Sequence, residues 1–296
     1  MLPPGIFLMK TAPEGLESVH PVWDSDLQEL GPWTPLGGGF PVDFLAGNSS
    51  VDSSVVVVGA CETTMELASE MVQKGQLGEW GAVLCAEQFS GRGQLRRPWK
   101  SLPGNLHASI VLPSPPVQGE WAEAMPHLLP LVAGYVVAEV LEGLGASIEI
   151  KWPNDILQNG RKVGGILIEE RNEVSIVGLG LNLTDCPKDV ELREDHSVSA
   201  AKITIPSFSG GPVKLLENLV NRGKNVYAVM LDEIPPTRFT AMVESKLAWF
   251  GRTILVREGD DISYEAVLSG LSQNGGLVLR RGEKETVLYS GSIFPL

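Results

Sequence analysis

An α+β fold, in which a mixed β-sheet packs beside helices and a small β-barrel follows at the C-terminus, is predicted by three features of this 296-residue chain. Between residues 55 and 249 the apolar period changes from that of strands to that of helices and back. The strand patterns there gather in groups instead of alternating one for one with helices, which favours a mixed sheet over a doubly wound one. Beyond residue 250 only short β patterns remain, divided by turn sequences.

Each element has its own justification. Residues 1–54 are rich in Gly and Pro, include Gly37-Gly38-Gly39, and show no sustained helical period. They predict an irregular arm with one short helical candidate at 23–30. A helix-turn-helix needs two amphipathic helices, so a DNA-reading module is not expected there. Val55-Val56-Val57-Val58-Gly59 reads as a buried strand, and residues 64–74 as a helix carrying Met65, Leu67, Ala68, Met71 and Val72. Strands are expected at 82–86 and 106–112, on either side of a Gly/Arg loop. The longest helical pattern is 121–144, where Met125, Leu128, Leu129, Val132, Val136, Val140 and Leu144 recur three or four residues apart. Strands follow at 148–151, 163–169 and 174–183, with turns at Pro153-Asn154-Asp155 and Asn159-Gly160. Helices are expected at 213–231 and 238–249. Four β patterns close the chain, at 253–256, 263–271, 277–279 and 286–289. The expected division is an arm (1–54), a central domain (55–249) and a small module (250–296). That last module is too small to be stable alone and should pack on its neighbour. No internal repeat is found.

Composition restricts the function classes. A formal net charge of −13 argues against nucleic-acid binding, which draws on clustered Lys and Arg. Three scattered cysteines, Cys61, Cys85 and Cys186, offer neither a disulfide framework nor a C-x-x-C metal site, and fit a reducing cytoplasm. His20, His107, His127 and His196 have no ligand spacing. The first residues lack a basic and then apolar leader, so no secretion signal is expected. The apolar run 128–138 contains Pro130 and is shorter than the roughly 20 residues a membrane span needs, so no membrane partner is expected.

Two stretches carry chemistry. Gly91-Arg92-Gly93 begins a loop with Arg92, Arg96, Arg97 and Lys100 and no acidic residue, a local reversal of charge suited to an anion. It lacks the third glycine of a dinucleotide fingerprint and the Gly-Lys-Ser/Thr of a phosphate loop. A basic surface loop is the plainer alternative. Lys151, in Lys151-Trp152-Pro153-Asn154-Asp155, ends an apolar strand where its amine needs a carboxylate or phosphate. An ion pair with Asp155 satisfies it equally well. Asn154 and Asp155 orient a ligand or close a turn, and Thr63 and Thr64 cap a helix or bond a ligand.

Residues 62–296 resemble the biotin protein ligases. The resemblance rests on Glu62-Thr63-Thr64, on Gln88 ahead of Gly91-Arg92-Gly93, and on Trp99-x-Ser101-x-Pro103-Gly104-Asn105-Leu106. It continues with Lys151-Trp152-Pro153-Asn154-Asp155, Arg161-Lys162-x-x-Gly165-Ile166-Leu167-Ile168-Glu169 and Gly178-x-Gly180-x-Asn182. It implies a class II synthetase-like biotin/lipoate ligase domain followed by an SH3-like barrel, in the monofunctional form without a helix-turn-helix. It also implies ATP-dependent biotinylation of a carrier-domain lysine through biotinyl-5′-AMP, with ATP, Mg2+ and biotin as the small molecules. The partner is then the biotin carrier domain of a carboxylase, and the family's range includes a homodimer. On matching positions, Lys151 and Arg92 are the implied catalytic residues. Thr63, Thr64, Met65, Gln88, Gly91, Arg92, Gly93, Gln94 and Lys151 are the implied biotin contacts. Arg96, Arg97, Trp99, Asn154, Lys162 and Asn182 are the implied adenylate contacts. Met65 stands where the family usually has Asn, and Gln94 and Arg96 stand where Arg and Gly are usual. Gln94 removes a charge from the loop, so weaker retention of the adenylate is expected. A lipoate or octanoate ligase and a non-catalytic biotinyl-AMP sensor are the alternative readings.

Overall fold

The computed structural model describes residues 1–9, 19–37, 44–94, 97–171, 174–188, 198–259 and 262–296. Its layers can be derived from one strand. Successive side chains of a strand point to opposite faces. Val55 and Val57 accordingly enter one apolar cluster, while Val56 and Val58 enter a second with Met65, Ala68 and Met71. Those three methionine and alanine side chains belong to helix α2 (Thr64–Gln73). Opposite α2, the first cluster contains α1 (Pro21–Leu30), α3 (Glu120–Gly143), α4 (Pro212–Glu233) and α5 (Pro236–Glu244).

The sheet between these layers has ten strands. Their order is β2 (Thr34–Pro35), β3 (Phe44–Ala46), β1 (Gly5–Met9), β4 (Ser54–Cys61), β5 (Ala82–Gln88), β6 (Leu106–Val111), β10 (Val174–Leu181), β9 (Arg161–Arg171), β8 (Asp155–Gln158) and β7 (Glu149–Lys151). The β1–β4 and β4–β5 pairs are parallel and the others antiparallel, so the sheet is mixed as expected. A second, open sheet follows in the order β14 (Lys284–Leu288), β13 (Leu277–Arg281), β12 (Ile262–Leu271), β11 (Thr253–Glu258) and β15 (Ser292–Pro295). Its inner residues Ile254, Val256, Leu268, Leu277, Leu279 and Ile293 join the larger apolar cluster. Trp152 Nε1 donates to the Gly275 carbonyl at 2.9 Å, and Leu271 N to Glu244 Oε1 at 2.6 Å, so polar contacts also tie the second sheet to the β7–β8 turn and to α5.

Several expectations are corrected. The N-terminal segment is not an irregular arm throughout: Gly5 to Leu8 pair with Ser54 to Val57, and Phe7 to Met9 with Phe44 to Ala46. These strands are short, and β propensity is expressed only when a partner edge is present. Here β4 supplies the edge, and β1 covers it. The helix expected at 238–249 ends at Glu244. Beyond it, Ile150 N bonds Lys246 O and Ala248 N bonds Ile150 O, so strand β7 claims backbone groups that a longer helix would use. Asp155, expected in a turn, begins β8. The apolar run judged too short for a membrane lies within α3, whose 24 residues pass that test on length and composition. Of its most apolar window 61% is buried inside the protein, as befits a core helix.

Candidate active site

The sheet's central strands, the start of α2 and the β7–β8 hairpin enclose a cavity of about 700 Å³. Thr63, Thr64, Met65, Gln88, Arg92, Gly93, Gln94, Arg97, Trp99, Lys151, Asn154, Lys162 and Asn182 all line it, which brings together residues 119 positions apart in the chain (from 63 to 182). Gly91 sits at the base of the loop beside it. Arg96 and His196 lie outside the described residues.

One wall is polar and held in register by neighbours. Thr63 caps α2 by accepting from Glu66 N at 3.1 Å, which is the plainer of its two expected roles. Thr64 N and Oγ1 both donate to Gln88 Oε1, at 3.0 and 3.3 Å. The Thr64 hydroxyl also lies 2.7 Å from Ser109 Oγ, and Gln88 Nε2 lies 3.4 Å from Ser101 Oγ. With its oxygen occupied, the Gln88 amide is oriented with its NH2 away from α2. Met65, Leu167 and Leu179 give the same wall an apolar floor, and Met65 packs beneath Gly178.

The opposite wall is cationic. Lys151 Nζ lies 2.9 Å from Asp155 Oδ2, and Lys162 Nζ lies 2.5 Å from Asp155 Oδ1. The Lys151–Asp155 pair offered by the sequence is therefore present, but one carboxylate serves two amines, and the cluster keeps one net positive charge. Burial pushes the Asp155 carboxyl up, yet Lys162 and Lys151 more than reverse this and hold it at about 2. A folded value below the ordinary 3.8 contributes stability above that pH, and the contribution is lost as pH falls toward 2. The shift corresponds to about 2 kcal/mol. We predict that urea unfolding at pH 7 shows Asp155→Asn less stable by about that amount, with the gap narrowing below pH 3. A gap independent of pH contradicts the assignment.

Between the walls, Trp99 lies across β10. A Cβ on Gly180 would sit 2.3 Å from Trp99 Cζ2, so only glycine leaves the ring this place. Trp99 Nε1 donates to His107 Nδ1 at 3.3 Å, and His107 Nε2 faces the Leu102 carbonyl at 3.3 Å. Burial lowers the His107 pKa to about 4 against the pull of that carbonyl, so the imidazole is neutral and can accept from the indole. Lys162 Nζ stands 6.0 Å from the Trp99 ring centroid. The glycine-rich loop closes on itself through Trp99 N to Gly91 O at 2.8 Å and Gly93 N to Arg97 O at 2.7 Å. A Cβ on Gly91 would lie 2.9 Å from the Trp99 carbonyl, which explains that glycine by close approach.

Sequence reasoning assigned no role to the supports. Asn105, buried, accepts at Oδ1 from Leu183 N, Thr184 N and Asp185 N at 2.9, 2.9 and 3.2 Å. It thereby holds the segment whose Asn182 and Pro187 line the cavity. Ser109 and His107 sit on β6 facing inward, and only the register of β6 with β5 and β10 reveals it. Asn154 Nδ2 donates to Ile166 O, and Asn182 Nδ2 to Ala201 O, so both amides brace backbone as well as lining the pocket. Gly291 and Ser292 show that the C-terminal sheet also reaches the cavity. Among the described residues no group of three His, Cys, Asp or Glu side chains is placed to hold a metal ion.

Comparison with known proteins agrees with this geometry. Residues 58–183 match the biotin/lipoate A/B protein ligase family. The chain is 28% identical over 217 residues to a biotin–[acetyl-CoA-carboxylase] ligase of Paracoccus denitrificans, covering 72% of this chain and 89% of that protein. It is 38% identical over 135 residues to the bifunctional ligase/repressor of Bacillus subtilis, spanning 43% of this chain but only 38% of that protein. In fold it resembles a biotin protein ligase from Aquifex aeolicus in complex with biotin and ATP. That likeness has a TM-score of 0.63 at 24% identity and covers 81% of this chain and 97% of the other.

Proposed function

We propose that this chain, which carries a domain of the biotin/lipoate A/B protein ligase family, is an ATP-dependent biotin protein ligase. The observation that carries the reading is that one cavity is lined by two unlike sets of groups, one polar and neutral and one cationic. Amide and hydroxyl groups at Thr64 and Gln88, with Ser109 bonded behind Thr64, suit a ureido ring. In the same cavity, Lys151 and Lys162 share Asp155 and bring a net positive charge to where a carboxylate and a phosphate would meet. A lipoyl or octanoyl chain has no use for the polar wall, which supports biotin over those acids.

The reaction then runs in two displacements. A biotin carboxylate oxygen attacks the α-phosphorus of ATP, the bond to the β-phosphate oxygen breaks, and pyrophosphate leaves. A carrier-domain lysine amine next attacks the acyl carbon, AMP leaves with the bonding electrons, and the amine loses a proton. Negative charge grows on phosphate oxygens in the first step, so fixed cations preorganised in the cavity lower its barrier. Lys151 is 12% exposed and braced by Asp155, which leaves it little reorganisation to undergo. Mg2+ is read as carried in on the nucleotide's phosphates.

Thr63, Thr64, Met65, Gln88, Gly91, Gly93 and Gln94 are assigned to the biotin side. Trp99, Asn154, Lys162, Arg97 and Asn182 are assigned to the adenylate side. On this reading Gly180→Ala displaces the Trp99 ring, raising the KM for ATP about tenfold with little change in biotin affinity. Steady-state kinetics check this, and a matched loss of biotin affinity would argue that Trp99 serves both ligands. On this reading the chain divides into a catalytic unit at 55–249, to whose sheet β1, β2 and β3 add strands, and an SH3-like small module at 250–296 whose five strands form an open sheet. A carboxylase carrier domain is the acceptor, without nucleic acid or membrane, and the reducing cytoplasm suits three free cysteines. A homodimer remains within this proposal. The test is transfer of labelled biotin to the target lysine of a purified carrier domain with Mg-ATP. Label on that lysine, absent when the lysine is replaced by arginine, is expected; no transfer alongside tight biotin binding would favour a sensor.

A further inference from the structure

Arg92 lines the cavity from the glycine-rich loop, yet the groups it touches are not lining residues. Its Nη2 donates to Glu66 Oε1 at 3.1 Å, and its Nε lies 3.5 Å from Glu169 Oε1. Glu66 belongs to the first turn of α2 and Glu169 to β9, so the guanidinium bridges two rigid elements. Both carboxylates are prepared for it. Thr63-x-x-Glu66 has the form of a capping box, in which the glutamate ordinarily turns back to the cap, but the Glu66 carboxylate reaches outward to Arg92. Glu169 Oε2 is gripped by Arg171 Nε and Nη2 at 2.8 and 2.6 Å, which leaves Oε1 aimed at Arg92.

We propose that Glu66 and Glu169 are positioning residues that fasten the 91–94 loop over the pocket through Arg92, and that they set how long an acyl-adenylate stays bound. The duration of binding rests on the biotin-ligase reading, whereas the fastening of the loop does not. Among the described residues, the backbone bonds of 91–94 run within the loop itself, from Gly93 to Arg97 and from Trp99 to Gly91, while Ser90 at its base is tied to Glu62 through N to O at 3.0 Å and Oγ to Oε2 at 2.7 Å. Beyond that base, the ion pairs of the Arg92 side chain attach the loop to α2 and β9. Alternative engagement of Arg92 by ligand phosphate would compete with both glutamates and predicts the opposite kinetic sign.

Ion pairs with this exposure are individually weak, so a moderate effect is expected. Glu66→Gln keeps the side-chain size and a residue type equally suited to its place in the helix. It should release preformed biotinyl-AMP roughly fivefold faster, and Glu66→Gln/Glu169→Gln roughly tenfold faster. Stopped-flow release with excess unlabelled biotinyl-AMP reads this, and 1 M salt should bring the wild-type rate up toward that of the variants. Hydrogen exchange of residues 91–94, measured without biotin or nucleotide, should be faster in the double variant while exchange in β4 and β5 stays unchanged. An unchanged or slower off-rate, or unchanged exchange in the loop, overturns the proposal. If the wild-type protein binds no biotinyl-AMP, the biotin-ligase reading fails, and the exchange experiment alone decides whether the loop is fastened.

Discussion

Lys151→Met is expected to lower biotin-dependent pyrophosphate release by about two to three orders of magnitude, the loss typical when one preorganised charge is removed from a developing anion. The argument concerns charge balance. Asp155 keeps Lys162 at 2.5 Å in the variant, so no carboxylate is stranded and the fold should survive. What disappears is the net positive charge, since one amine then exactly offsets one carboxylate. Methionine retains the apolar stem that packs near Phe294, whose ring centroid is 5.6 Å from Lys151 Nζ. Circular dichroism should therefore match the wild type while activity falls. Residual activity within tenfold of the wild type would place the reacting phosphate elsewhere in the cavity.

The largest effect on stability is expected from Asp26→Ala, about 3 kcal/mol, a fall in Tm of roughly 10 °C. Asp26 is fully buried on α1, yet its carboxylate caps a helix 185 residues onward. Oδ1 accepts from Gly211 N at 2.8 Å, and Oδ2 from Val213 N and Lys214 N at 2.9 and 3.1 Å. The intervening Pro212 has no N–H to satisfy, and Gly211 provides no side-chain cap of its own for α4. Alanine would leave three amides at a helix N-terminus without their acceptor. Burial raises the Asp26 carboxyl above its ordinary value against the pull of those amides. The contribution of this shift is therefore complete below pH 3.8 and declines as pH rises through the folded value. Asp26→Asn, which keeps one acceptor oxygen, should lie between the two. Differential scanning calorimetry checks the order, and a Tm unchanged in the alanine variant would show that α4 is capped by solvent instead.

Asp26 also illustrates why part of this molecule could not be read in one dimension. Sequence patterning finds an element when its own residues carry the period, as in 55–58, 64–74 and 121–144. It does not find a strand whose stability comes from a remote edge. Gly5 to Met9 became a strand because β4 is beside it, and Asp155 to Gln158 because β9 is. The candidate site divides in the same way. Thr64, Gln88, Trp99, Lys151 and Lys162 are polar or aromatic residues in distinctive local motifs, and the cavity gathers them. Asn105, His107 and Ser109 act through register and burial, properties absent from their immediate neighbours. Glu66 carried a readable signal, its Thr-x-x-Glu spacing, but one that pointed to helix capping instead of Arg92.

The most direct test of the central claim is a single-turnover experiment with labelled ATP and biotin, quenched in acid and resolved for biotinyl-AMP and pyrophosphate, with lipoate and octanoate run in parallel. The biotin-ligase account predicts stoichiometric biotinyl-AMP with biotin, little acyl-adenylate with the other acids, and none with Lys151→Met. Equal turnover of lipoate or octanoate, or biotin binding without any adenylate, would contradict it.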